Sequence, residues 1–527
     1  MSQLTEDCLR IIFIELKNDS NTLYSCILVN RYWCRIAIPI LWKNPYNNKN
    51  ISNNNKFYNT IINFLPENSK QFLLENNIEL PFLKTSSSSS TSTSTSSSSS
   101  SNQSSNQSSN QSSNQSSNQS SNQSLFNYIS FSSQISSKFI NKIIKSFLLK
   151  NEFDLDKYKK LEKEIYKLFI NNCKFIKDFI WETTQPLYKY NGVTNCFSQL
   201  CILTIDLQFV NSESLFGMSK ICQNIEDLRV HYYSSKRDSP GLIKFLEIQR
   251  NLKSLYLHFK IKSIRKQSIK LSEIIESKSK TLKKLIIGPT ITLISPKFLP
   301  SLINLEHLEF TNSMNMLKKE IVELQEWENY LSITSLPKLR YIKTGLCLPI
   351  SNDYKLIENS HGNIREINIC RRRFNNKRDP LHSEKLIEII SKYCPKVESL
   401  TIDAELKNLN GIRDILLHCS QLKKIKLSSC NNKWRFIICD ELLEILIKLS
   451  SNNLYSFSFN RWKFSVEGLE SFFESRRNKH PIIFNIYPDL CPFTLEHQLI
   501  VKKYIDEGII KKTNCLEHIL LGINFRP

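Results

Sequence analysis

The chain has 527 residues, 71 of them Lys or Arg and 49 Asp or Glu, for a formal charge of +22, and 40% of it is hydrophobic. Only 10 residues are glycine and no two of them stand close together. This excludes the phosphate-cradling GxxxxGK[ST] loop, the dinucleotide GxGxxG turn and the GxSxG nucleophile elbow, all of which need backbone free of a Cβ.

Residues 1–45 are short and strongly patterned. Leu9, Ile12, Phe13 and Leu16 fall at i, i+3, i+4 and i+7, the apolar stripe of one helix. Thr5 stands where a cap belongs, and Glu6 and Asp7 suit the positive end of the helix dipole. A second helix is predicted after Asp19-Ser20, with Leu23, Ile27 and Leu28 apolar. A third covers Arg31 to Ala37, because Pro39 disfavours helix at Ile38. So small a unit buries little surface. Yet it carries Phe13, Trp33, Leu41 and Trp42, which points to a face meant to be covered by a partner.

In Leu4, Asp7, Leu9, Ile12, Phe13, Leu16, Leu23, Cys26, Val29, Asn30, Arg31, Trp33 and the closing Leu41-Trp42, this segment resembles an F-box. Thr5 replaces the proline usual in that family. The resemblance implies that Leu4, Leu9, Ile12, Phe13, Leu16, Leu23, Val29, Trp33, Leu41 and Trp42 bind an Skp-type adaptor.

Residues 46–85 and 125–195 read as two helical parts of one linker. Tyr158, Leu161, Ile165 and Leu168 form an amphipathic stripe, continued by Phe175, Ile176, Phe179 and Ile180. Between the two parts lies a tract over 86–124, where Ser86 to Ser124 holds only Ser, Thr, Asn and Gln. With no apolar side chain to offset ordering entropy, it is expected to be disordered.

From residue 196 to 490 the chain repeats an apolar-x-x-apolar-x-apolar unit. It runs through Leu200/Leu203/Ile205, Ile225/Leu228/Val230, Leu252/Leu255/Leu257, Leu282/Leu285/Ile287 and Leu305/Leu308/Phe310. After a degenerate Leu339/Ile342/Thr344, it resumes as Ile364/Ile367/Ile369, Val397/Leu400/Ile402, Leu422/Ile425/Leu427 and Leu454/Phe457/Phe459. The mean spacing of about 28 residues matches the leucine-rich repeat, slightly stretched by insertions. The implied fold class is α/β: a helical N-terminus, then a solenoid with parallel strands on the concave side and helices on the convex side. Ile482, Ile483, Phe484 and Ile486 form a last strand, and 491–527 read as a helical cap with a tail.

Strand positions between the apolar ones face outward on the concave side. They place Arg229, His231, Tyr256, His258, Lys284, His307, Glu309, Tyr341, Lys343, Glu366, Asn368, Lys424 and Lys426 on a candidate target-binding surface. Residues 195–527 hold 50 of the 71 basic and 35 of the 49 acidic residues, so they carry +15 of the excess. Basic clusters stand at Lys260 to Lys284 and at Arg371, Arg372, Arg373, Lys377 and Arg378. They read mainly as solvated faces and secondarily as a nuclear-import or acidic-partner signal.

The 15 cysteines include no CxxC pair, and charged residues stud the N-terminus. Free buried thiols in a cytoplasmic or nuclear setting are expected, with no metal site and no cofactor. No apolar run approaches the ~18 residues of a membrane helix. No catalytic constellation is visible.

The F-box resemblance and the repeats together are similar to F-box/leucine-rich-repeat substrate receptors of SCF-type ubiquitin ligases. In that reading the chain is no catalyst. Its F-box reaches a cullin and a RING subunit through the adaptor, and its repeats hold a target protein for ubiquitin-dependent degradation. Two other readings stay open: a repeat scaffold outside any ligase, and a basic repeat protein that binds nucleic acid, the less favoured of the two.

Overall fold

A computed structural model describes residues 4–43, 55–80, 126–148, 154–233, 239–259, 267–289, 291–311, 321–345, 350–370, 380–429, 438–487 and 494–516. The tract Ser86–Ser124 and the cluster Arg371–Arg378 lie outside the described residues, as does the start of the cluster at Lys260. The chain divides into two compact units, Met1–Leu200 and Cys201–Pro527.

The first unit opens with α1 (Glu6–Glu15), α2 (Ser20–Val29) and α3 (Arg31–Trp42). The second and third helices are set by their caps. The Asp19 carboxylate accepts from the Thr22 N–H at 3.1 Å, and the Asn30 side chain accepts from the Trp33 N–H at 2.8 Å. Thr5 takes the cap position of α1, but its side chain makes no capping bond. Helix α3 runs on through Pro39 to Trp42 instead of ending at Ala37. An interior proline costs a helix ~3 kcal/mol. Burying Ile36, Ala37 and Ile38 offsets that cost.

The rest of this unit comprises α4 (Asn55–Asn63), α5 (Glu67–Glu75), β1 (Gln134–Ser136), α6 (Ser137–Leu148), α7 (Leu155–Asn172), β2 (Asp178–Trp181) and α8 (Val193–Phe197). The expectation of a purely helical linker is therefore corrected: β1 and β2 pair in parallel. The stripe Leu161, Ile165 and Leu168 is buried as expected on α7, but that helix ends at Asn172. Beyond it Phe179 and Trp181 are buried with period two, a strand rhythm, and Phe175 is exposed.

The second unit alternates strand and return. Its strands are β3 (Ile202–Asp206), β4 (Asp227–Tyr233), β5 (Ser254–Phe259), β6 (Lys284–Gly288), β7 (His307–Phe310), β8 (Tyr341–Thr344), β9 (Glu366–Ile369), β10 (Ser399–Ala404), β11 (Lys424–Ser429), β12 (Ser456–Asn460), β13 (Ile482–Tyr487) and β14 (Ile510–Thr513). Each pairs in parallel with the next in chain order. The returns carry α9 (Ser212–Ser219), α10 (Pro240–Glu247), α11 (Ile269–Ser277), α12 (Ile321–Ile333), α13 (Ile350–Glu358), α14 (Pro380–Tyr393), α15 (Leu409–His418), α16 (Asp440–Leu449), α17 (Val466–Glu474) and α18 (Leu495–Asp506). Between β6 and β7 the return holds only short 3-10 turns. One parallel strand per repeat, in sequence order with a return after each, is the leucine-rich-repeat solenoid. The predicted cap is corrected in one respect: after α18 the ladder gains one more strand, β14.

The entry to each strand from β4 to β12 is fixed by one carbonyl that accepts two N–H groups from the next repeat. The Glu226 carbonyl takes Lys253 and Ser254, and the pattern recurs to Lys423, which takes Tyr455 and Ser456. Inside, Leu228, Leu255, Leu285, Leu308, Ile342, Ile367 and Leu400 form one buried row. The degenerate third position is satisfied by chemistry and not by burial alone. The Thr344 hydroxyl donates to the buried Asp353 carboxylate at 2.7 Å, a polar pair where the other repeats place an aliphatic or aromatic side chain. Gly241 lets α10 approach α9 closely, since a Cβ there would lie 2.2 Å from the Ser212 carbonyl oxygen. Cys222, Cys394 and Cys419 are buried thiols that burial pushes up to about 12, 12 and 11.

Candidate functional site

Two surfaces carry chemistry, one in each unit. The first is the outside of the N-terminal helices. Leu9, Phe13 and Leu23 are interior, Leu9 being only 1% exposed, and they pack with Cys26, Ile36 and Ala37. Leu16, Trp33 and Leu41 lie against the same core, and the Phe13 and Trp33 rings meet edge to face at 5.3 Å. Trp42 is taken up further along its own unit, where it stacks on Tyr128 at 4.9 Å and meets Phe57 at 4.8 Å. These seven of the residues expected to bind an adaptor build or anchor the fold. Leu9, Phe13 and Leu23 are closed off in the packed helices, and Leu16, Trp33, Leu41 and Trp42 are half-buried.

Leu4, Ile12 and Val29 do reach solvent. With them stand residues that the sequence reading did not name as contacts: Ile11 (65% exposed), Ile14, Tyr24 and Leu28 (70% exposed). The outward faces of α1 and α2 thus carry a group of apolar side chains in solvent, which is the arrangement of a covered surface. The available signal was Ile11 and Ile14 falling off the interior stripe while still being apolar.

The second surface is the open face of the strands in the second unit. All thirteen residues expected on the concave side lie in strands, at positions alternating with buried ones, and none is buried. Register gathers them into rungs. His231, Tyr256 and His258 form a ring cluster, with His231 5.2 Å from Tyr256 and 5.9 Å from His258. Burial lowers the pKa of the His258 imidazole, which favours its neutral form, and its Nδ1 has no hydrogen-bond partner among the described residues.

Two strands on, His307 and Tyr341 stack face to face at 3.9 Å. Below them Lys343 donates to Glu309 at 2.6 Å, and His307 Nε2 stands 3.6 Å from the same carboxylate. That second contact is longer than an ordinary hydrogen bond. The His307 imidazole first, then the Lys343 ammonium, hold the Glu309 carboxyl down at about 2 against the opposing effect of burial. Burial, aided by Glu309 and Glu366, pushes the Tyr341 phenol up to about 12.

Further along, the character changes. Lys424 and Lys426 on β11 stand opposite Ser399 and Thr401 on β10 and opposite Ser456 and Ser458 on β12. Lys426 lies over the Tyr487 ring at 5.0 Å.

One feature of this unit escaped sequence reasoning. The residue just before each strand forms a charge ladder along the sheet edge. Lys253 pairs with Glu226 at 2.8 Å, Lys283 and Arg340 both reach Glu306, and Arg365 and Lys423 both reach Glu398. Its signal was the order acid, base, base at that position in successive repeats, from Glu226, Lys253 and Lys283 to Glu398 and Lys423. The basic cluster ending at Lys284 is partly absorbed in this way. Lys283 joins the ladder, and Lys278 donates to the carbonyls of Glu247 and Gln249.

Among the described residues no group of three or more His, Cys, Asp or Glu is arranged to hold a metal, and no helix is long and apolar enough to cross a membrane.

No protein-family model matches the chain, and no curated protein matches it. Solved structures similar to it include the leucine-rich repeat-containing protein LegL7 from Legionella pneumophila, at 14% identity and TM-score 0.29, covering 65% of this chain and 93% of that one. Another is the TLR13–ssRNA13 complex, at 10% identity and TM-score 0.26, covering 60% of this chain and 37% of that one. At such scores neither likeness adds weight. The solenoid rests on the strand register itself.

Proposed function

We propose that the chain is the substrate-recognition subunit of an SCF-type ubiquitin ligase. The N-terminal helices bind an Skp-type adaptor, and through it a cullin and a RING subunit. The strand face of the repeats holds the target protein, in the cytoplasm or nucleus, and the chain itself performs no catalytic step. Its contribution is proximity, which raises the local concentration of target at the conjugating machinery.

The observation that carries this reading is the apolar outer face of α1 and α2, with Ile11, Ile12, Leu28 and Val29 in solvent. It lies on the same segment whose sequence resembles an F-box. The adaptor contact therefore falls on Leu4, Ile11, Ile12, Ile14, Tyr24, Leu28 and Val29, and Leu9, Phe13 and Leu23 act only by holding the helices.

The test is co-purification of the full chain with an Skp-type adaptor. The wild type is expected to form a stoichiometric complex, and Ile11→Asp with Leu28→Asp to lose it while keeping its helical content. Wild-type retention of adaptor by the double variant would overturn the assignment, as would a wild-type chain that never binds adaptor.

A further inference from the structure

We infer that the strand face over β11 is a docking site for an extended acidic protein segment with carboxylates at alternate residues. The inference rests on the receptor reading only in calling that segment a target.

Along the open face Arg229 is matched by Asp227 at 2.9 Å and Lys343 by Glu309 at 2.6 Å. Lys424 and Lys426 meet no carboxylate within ion-pair distance among the described residues. Lys426 instead leans toward β13, over the Tyr487 ring. The closest acid in the Lys424 rung is Glu366 on β9, two strands away across Ser399. Asp403 on β10 is buried.

Around the two ammonium groups the face is lined with hydroxyls: Ser399 and Thr401 on one side, Ser456 and Ser458 on the other. The Asn485 amide donates to the Ser458 oxygen at 3.4 Å, so that hydroxyl keeps its proton to give outward. The patch therefore offers two cations and several donors, and only an oxyanion complements it.

Geometry narrows the ligand further. Lys424 and Lys426 are two positions apart on one strand, roughly 6.6 Å at ~3.3 Å per residue. Side chains on one face of any extended chain recur at that same distance, so a segment lying along β11 presents alternate carboxylates in step with the lysines. Lysine is a point charge without the guanidinium fork. The backbone N–H groups of β11 are committed to the ladder, so the ligand is met by the two ammonium groups and the flanking hydroxyls, and the single-charge carboxylates of an extended acidic segment match them one to one. The +15 excess of residues 195–527 steers such a segment toward the array.

The test titrates a fluorescein-labelled decapeptide of alternating Glu and Ser into the full chain by fluorescence polarisation. Lys424→Gln with Lys426→Gln is expected to weaken binding about fivefold to tenfold, the product of two largely exposed ion pairs. A matched peptide of alternating phosphoserine and Ala is expected to bind no better than the Glu peptide. Zero-length carbodiimide coupling followed by peptide mapping is expected to join the Glu peptide to Lys424 or Lys426. Equal affinity for wild type and double variant, coupling only to other lysines, or binding confined to the phosphoserine peptide would each overturn the site. The double variant is expected to keep its adaptor, so failure here leaves the adaptor reading intact, and failure of the adaptor test leaves peptide binding measurable.

Discussion

The N-terminal helices and the strand array use apolar side chains in opposite ways. In the array the apolar residues point inward and stack repeat on repeat, and the open strand face carries mainly charged, hydroxyl and ring-bearing side chains. In the three-helix segment the interior takes Leu9, Phe13, Leu23 and Ala37, and Ile11, Tyr24 and Leu28 are left outside. A repeat finds its apolar partner in the next repeat. The three-helix segment meets the rest of its unit through Trp42, against Phe57 and Tyr128, and the apolar residues on the outside of α1 and α2 stay in solvent. The difference separates residues that fold a unit from the exposed residues proposed to meet the adaptor.

The largest expected effect tests the interior side of this contrast. Leu308→Ala, at a fully buried ladder position, is expected to destabilise the array by about 2–5 kcal/mol. Urea unfolding followed by circular dichroism measures it, and a loss below that range would show that the neighbouring repeats collapse around the cavity.

Next comes a direct comparison of two aspartates. Leu9→Asp places an unpaired charge in the helical core and is expected to unfold α1 to α3, seen as rapid proteolysis of the N-terminus. Leu28→Asp is expected to leave that segment protease-resistant and to weaken adaptor capture alone. If both behaved alike, the division between folding and recruiting residues would fail.

A third prediction concerns Glu309. Its carboxyl titrates at about 2 in the folded chain, below its ordinary 4.5. A depressed carboxylate contributes stability that is present above the unfolded value and is lost as pH falls through the folded one. Glu309→Gln is therefore expected to lower the melting temperature at pH 7. The gap should narrow as pH drops below about 4.5, checked by thermal melts at stepped pH.

Glu162 on α7 gives a smaller effect of opposite sign. It is buried, accepts from Gln185 at 3.2 Å, and burial raises its pKa. A raised carboxyl contributes stability present below the unfolded value and lost as pH rises through the folded one. Glu162→Gln should thus match or exceed the wild type at pH 7, and the advantage should vanish in acid.

The smallest effect belongs to the edge ladder. Glu398→Gln removes two solvent-facing ion pairs and is expected to shift the melting temperature only slightly, and not at all in high salt.

The amino-acid sequence by itself determined the period of the array, the strand positions and which side chains alternate in and out. Those follow from nearest-neighbour geometry: an apolar-x-x-apolar-x-apolar unit has one way to bury its face, and Leu228, Leu308 and Ile367 take it. The caps Asp19 and Asn30 are local as well, satisfied within three residues, whereas Thr5, the cap expected from sequence, makes no such bond. What only the tertiary structure decided involves long-range packing.

Helix α3 passes through Pro39 because the interior rewards Ile36 to Ile38, a gain no local rule contains. Trp42 anchors the fold because Phe57 and Tyr128 meet it from far along the chain. Arg476, charged by type, is buried between the Phe457 and Phe472 rings with Ser450 as hydrogen-bond partner, and burial draws its guanidinium down to about 10. The stripe of α1 showed that one face is apolar. Only the packed helices showed that Ile11 and Leu28 are the apolar residues left over, since exposure belongs to the assembled unit and not to the residue.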